Sequence, residues 1–239
     1  MDGSGSAAVR VAAGCLRTAT AAVSVVGVAM DMAHAGVLPP LVFFTVQSNV
    51  LLAAVMAAAA VAAFRGRPGP PPWLKGGATL YILITGLVFN LILVHGPVVA
   101  PLPPTSPDRV LGLGSSDYMH VLAPILATAD FVLFDRHGGL RPRLALLWLL
   151  YPLAYTAFTT VRGIVLPDSH YPYFFLDVHW LGYGGLLRNT AVYGTVFALL
   201  GLGLVFADRL LARAGGAVQE ATRRATRRAE RRAKRRKSR

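Results

Sequence analysis

Apolar residues in this chain neither alternate with polar ones on a period of two nor confine themselves to one helical stripe. They recur in runs of about 20 positions, separated by short breaks rich in Pro, Gly or charge, and at about 1.5 Å rise per residue such a run crosses a hydrocarbon core of about 30 Å. The runs lie near Val11–Met30, Leu41–Phe64, Ala78–Ala100, Tyr118–Phe134, Leu144–Leu166 and Leu186–Phe206. Backbone N–H and C=O groups in lipid must be paired within the protein, and without strand-like alternation helices do this rather than a barrel. The pattern predicts an all-α polytopic membrane protein, a six-helix transmembrane bundle over 1–210, with a tail of different character over 211–239.

Composition agrees with that pattern: of 239 residues 54% are hydrophobic and 15% charged, and mean hydropathy is +0.53, too apolar for an ordinary soluble domain. Charge then gives the orientation, because Lys and Arg are retained in cytoplasmic connections. Arg10 and Arg17 precede or open the first run, Arg65, Arg67 and Lys75 follow the second, and Arg136, Arg141 and Arg143 follow the fourth. The other connections hold Asp31, Asp108, Arg109, Asp117, Asp168 and Asp177. Both termini are therefore expected to be cytoplasmic, in a multi-pass protein of the cell membrane. A competing reading takes Arg10, Arg17, the first apolar run and Ala33-His34-Ala35-Gly36 as a cleaved secretory signal, although Asp31 interrupts its final part. Cys15 is the single cysteine, which excludes an internal disulfide and any multi-cysteine metal centre.

From Leu211 onward twelve Lys and Arg stand against two Glu, so most of the formal charge of +13 belongs to the tail. Arg223, Arg227, Arg231 and Arg235 recur every four residues, as do Ala221, Ala225, Ala229 and Ala233. This segment is expected to be disordered or to form a basic surface helix on anionic lipid headgroups, each cation contributing about 1 kcal/mol near the surface. A solvated determinant of topology is the plainer alternative. No nucleic-acid partner is expected, since the tail lacks aromatics for stacking and a folded module to aim base contacts.

Ionisable and strongly polar groups inside a bilayer are costly, so those within the runs are site candidates. Thr45, His95, His120 and Arg162 each fall four or five residues inside the external end of a predicted helix, roughly 6 to 8 Å deep. In the stretch FFTVQSN, Thr45, Ser48 and Asn49 share one helical face, while Gln47 points elsewhere and suits a bond to a neighbouring helix. Thr is a nucleophile only when a base takes its proton, and His is the usual base. Thr45 with His120 would make such a dyad, with Asn49, Ser48 or Arg162 steadying an oxyanion, or Arg162 holding a substrate carboxylate. His34, Asp177 and His179 lie near the same mouth, and His137 falls in a cytoplasmic loop. The segment from Arg162 to Gly185 reads as an interfacial aromatic belt or as a lid, with Asp177 or His179 reaching inward.

FFTVQSN, SDYMHVLAPILATAD (Ser116–Asp130), YPLAYTAFTTVRG (Tyr151–Gly163) and YPYFFLD (Tyr171–Asp177), in that order, resemble bacterial members of the androgen-induced-gene-like integral membrane protein family. Animal members of the wider family are atypical threonine hydrolases that cleave fatty acid esters of hydroxy fatty acids. The resemblance implies a lipid-ester hydrolase with Thr45 as nucleophile and His120 as its histidine partner, needing no cofactor. In two respects the chain departs from the animal pattern. SSDYM replaces a polar motif with a nearby His, and Asp130 follows the shared Pro at a different spacing.

Two other functions remain open on the sequence. A transporter or small-molecule binding bundle would use the deeper polar residues Asn90 and Asp130, although no inverted repeat is visible. A metal or haem centre would draw on His34, His95, His120 and His179, but no two share an i, i+3 or i+4 spacing on one helix, and no metal is expected.

Overall fold

In a computed structural model of the chain, residues 3–95, 106–166 and 170–237 are described, with side chains at the two ends described over 7–217 and at 220. Six of its helices are long and apolar enough to cross a membrane, and the described residues include no strand. They are α1 (Gly3–Ala35), α2 (Phe44–Phe64), α3 (Pro72–Leu93), α4 (Ser115–Phe134), α5 (Arg143–Val165) and α6 (Val178–Lys237). Over half of the apolar window of α3 and half of that of α2 are buried (56% and 50%), against 22% for α5 and 17% for α6. The outer faces of α5 and α6 therefore expose Leu146, Leu150, Val161, Ile164, Leu187, Val196 and Phe206. Contiguous apolar faces of this kind suit lipid as the surrounding solvent.

Several helix ends differ from the expected spans, each for a local reason. α2 begins at Phe44 rather than Leu41 because Pro39 and Pro40 shape a short 3₁₀ turn and Phe43 is extended, with ψ 134°. α3 begins at Pro72, not Ala78, since proline suits the first turn of a helix. That places Lys75 inside the bundle, where it pairs with Asp130 and Asp135. The other end of α3 comes early too, in a π-helical turn over Phe89–Leu93, and the expected limit at Ala100 lies outside the described residues. Asp31, expected in a connection, is buried in the last turns of α1 and accepts the Ser106 N–H at 3.1 Å.

Two prolines inside helices leave carbonyls that other helices satisfy. Proline has no N–H, so the carbonyl four residues earlier loses its partner. Pro152 frees the Trp148 carbonyl, which accepts the Tyr81 hydroxyl at 3.0 Å. Pro124 frees the His120 carbonyl, which accepts the Asn90 side-chain amide at 3.1 Å. Gly86 makes the second contact possible, since a Cβ there would stand 2.9 Å from Pro124 Cγ and 3.0 Å from the His120 carbonyl.

At the far end of the same bundle, Arg17 Nε meets Asp130 Oδ1 at 2.8 Å and its Nη2 lies 3.5 Å from Asp135 Oδ1, alongside the Lys75 pairs. Two cations and two carboxylates from α1, α3, α4 and the residue after α4 thus neutralise one another. Buried Asp208 of α6 accepts the Leu140 N–H at 3.0 Å and holds the α4–α5 connection. Beyond Ala217 the tail continues as helix to Lys237, and the only non-helical residue inside α6 is Gly182, at φ 64°.

Candidate active site

Thr45 stands in the first turn of α2, where backbone N–H groups have no partner within the helix. Its own N–H donates to the Tyr173 hydroxyl at 3.3 Å, and its Oγ1 lies 3.2 Å from His120 Nε2. Both side chains are buried. The nucleophile candidate and the base candidate, seventy-five positions apart in sequence, are within hydrogen-bond reach.

His120 is fixed from four sides. It sits in a π-helical turn over Tyr118–Leu122, where the Ala123 N–H reaches back to the Tyr118 carbonyl, and such widened turns are frequent at functional sites. Its ring stacks on Phe89 at a centroid distance of 3.8 Å and an interplanar angle of 19°. Asn90 holds its carbonyl. Its Nδ1 lies 3.1 Å from the Ser116 carbonyl, which can only accept, so in the neutral ring Nδ1 carries the proton and Nε2 the lone pair. The tautomer assigned by that bond faces the Thr45 hydroxyl with an acceptor.

The loop between α5 and α6 closes the site. Tyr171, Tyr173, Phe175 and Leu176 are buried, and Asn189 of α6 anchors the loop by donating to the Phe175 carbonyl at 3.0 Å. Tyr173 stacks on Phe175 at 5.3 Å and meets Phe43 edge-on at 6.2 Å. Its hydroxyl is 3.4 Å from Thr45 Oγ1, and burial raises its pKa above the ordinary phenol value. This part of the expected lid does cover the polar layer, but through Tyr173. Spacing in YPYFFLD does not separate Tyr173 from the other aromatics of an interfacial belt, although the segment is one of the four carrying the family resemblance.

A narrow, partly open crevice of about 60 Å³ leads to Thr45. Ile84, Val88 and Leu93 of α3, Leu149 and Leu153 of α5, and Phe197 of α6 line it, with Tyr173 beside Thr45. Leu153 at its rim is 45% exposed and belongs to the apolar outer face of α5, so the crevice meets the surface where lipid would be. An apolar channel ending on a few polar groups is the usual composition of a small-molecule site.

The remaining candidates are distributed differently. Ser48 and Asn49 are buried on the Thr45 face of α2, and the Asn49 amide donates to the Thr45 carbonyl at 3.0 Å, so it buttresses the helix turn that carries Thr45. Gln47 bridges helices as expected, donating to the Leu41 carbonyl and accepting the Tyr151 hydroxyl at 2.9 Å. His95 does not join the layer, because α3 ends first and leaves it exposed in a turn. Arg162 donates to the His170 carbonyl at 3.0 Å, in the loop after α5. Asp177 accepts the N–H groups of His179 and Trp180 at 2.8 and 3.4 Å, which makes it the cap of α6 rather than an inward-pointing group. His34 and His179 are exposed, and no three His, Cys, Asp or Glu side chains gather around a possible metal position among the described residues. Asn90 and Asp130, the transporter candidates, are engaged by Gly86, His120, Arg17 and Lys75.

No family model, curated protein or solved structure matches the chain.

Proposed function

We propose that this protein is an intramembrane hydrolase of lipid esters that uses Thr45 as nucleophile and His120 as general base. The observation that carries this reading is the 3.2 Å approach of Thr45 Oγ1 to His120 Nε2, with Nδ1 held on the Ser116 carbonyl. The crevice that reaches Thr45 from an apolar helix face supports a substrate with an acyl chain. The four family-like segments support it independently.

In the first half of the reaction Thr45 Oγ forms a bond to the ester carbonyl carbon while its proton passes to His120 Nε2. Collapse of the tetrahedral intermediate breaks the carbon–oxygen bond to the alcohol, which leaves with the proton from His120. A water then gives its proton to the same nitrogen, attacks the acyl-threonine, and releases the carboxylic acid as Thr45 regains its hydrogen. Negative charge developing on Thr45 Oγ lies at the N-terminal, positive end of the 21-residue helix α2. The basic connections support placing the dyad toward the external face of the cell membrane, with both termini and the basic tail on the cytoplasmic side against anionic headgroups.

The test is labelling of the purified protein by a fluorophosphonate probe, with hydrolysis of a long-chain ester measured in parallel. Wild type is expected to be labelled on Thr45 and to turn over. Thr45→Ala and His120→Ala should each lose both signals, by on the order of 10⁴-fold or more in turnover, as when a member of a catalytic unit is removed. Undiminished labelling of both variants would remove the dyad.

A further inference from the structure

An oxyanion needs a donor beside the attacked carbon, and most polar groups near Thr45 are already engaged. The Asn49 amide donates to the Thr45 carbonyl, and the Arg162 guanidinium reaches toward His170. The Thr45 N–H donates into the Tyr173 oxygen. His120 presents a lone pair at Nε2, and the proton it later gains goes to the leaving alcohol. The donor that meets Thr45 Oγ1 itself is the Tyr173 O–H, at 3.4 Å, whereas Ser48 Oγ lies a turn further along the same face of α2.

We propose that Tyr173 is a catalytic residue, the hydrogen-bond donor to the ester oxyanion that forms when Thr45 attacks. The assignment rests on the Thr45–His120 reading. With the Thr45 hydroxyl directed at His120, the phenol 3.4 Å away donates to Oγ1 in the resting site. When Oγ binds the carbonyl carbon, the oxyanion is held one bond angle from that oxygen, and the phenol proton turns from Oγ to the new charge. No bond to Tyr173 forms or breaks, and its proton stays on its oxygen throughout. Two features improve it as a donor. The Thr45 N–H feeding into the phenol oxygen polarises the O–H outward. Burial that raises the phenol pKa keeps the proton in place well into alkaline solution. Packing against Phe43 and Phe175 fixes the ring, so the donor is preorganised.

Tyr173→Phe removes one oxygen and keeps those ring contacts. It is expected to lower kcat for a long-chain ester by about 10² to 10³-fold, the usual loss for one oxyanion donor, with KM nearly unchanged and Thr45 still labelled at long exposure. Replacing Tyr173 by fluorinated tyrosines supplies a readout that packing alone would not move. Ionisation of the phenol ends its donation, so the alkaline limb of kcat should shift to lower pH as fluorination makes the phenol more acidic. Wild-type kcat in Tyr173→Phe, or an alkaline limb unmoved by fluorination, overturns the proposal while leaving the dyad intact. Failure of the wild-type protein to label or turn over overturns both readings together.

Discussion

α4 carries a polar centre near each end, and the two are built on opposite terms. At one end Thr45 meets His120 and Tyr173 through uncharged hydrogen bonds, and a crevice reaches Thr45. At the other, roughly 15 Å along the same helix, Asp130 meets Arg17 and Lys75 in a cluster that Asp135 completes. Its charges match two against two, and buried Asp130 has cations on both oxygens. Buried polarity alone therefore does not mark a reactive site. Hydrogen bonds between uncharged groups that a crevice reaches are what distinguish the Thr45 end.

The contrast can be broken most severely at the charged end. Asp130→Asn leaves Arg17 and Lys75 sharing one carboxylate, and removing one partner of a buried ion pair costs about 3 to 5 kcal/mol. Unfolding in detergent should show that loss, while ester turnover per folded molecule stays near wild type. Equal stability would mean that the cluster is not a clamp.

A smaller effect tests whether the dyad depends on the way its helix is held. Asn90→Ala leaves the His120 carbonyl without the donor that replaces the missing Pro124 N–H, a loss of about 1 to 3 kcal/mol for a buried acceptor. Here turnover should fall as well, because the carbonyl belongs to His120, the proposed base. A variant that loses stability with kcat intact would separate the support from the chemistry.

The smallest change concerns the crevice. Gly194 lines it, and a Cβ at that position meets no atom within 4 Å. Gly194→Leu should leave folding and short-chain ester hydrolysis unchanged and weaken hydrolysis of long-chain esters by about tenfold, the scale of one or two methylene contacts. An equal decline for short and long chains would place the acyl chain elsewhere.

Much of this was legible from sequence because lipid-spanning helices are specified by length and apolarity. All six helices overlap the apolar runs, but Thr45, expected five residues inside its helix, is the second residue of α2, because the Pro39-Pro40 turn delays the helix start to Phe44. Failures came where one segment's meaning depends on another. Lys75 reads as part of a connection until Asp130 and Asp135 from a distant segment neutralise it, and this shifted the expected start of α3. The same error at the other end of α3 promoted His95 into a layer that it does not reach. Arg162 was placed at a plausible depth, but depth carries no direction, and its guanidinium bonds the loop carbonyl of His170. Tyr173 was hidden among other aromatics because its role comes from a loop folding back over α2, which no periodicity encodes.

The crevice rim at Leu153 has a consequence for how the proposed hydrolysis would be saturated. An ester entering there diffuses in two dimensions, whereas the water for deacylation comes from a different phase. The concentration governing turnover is then the mole fraction of ester in the bilayer. Adding inert lipid should slow the reaction by surface dilution even when the bulk amount of substrate is unchanged.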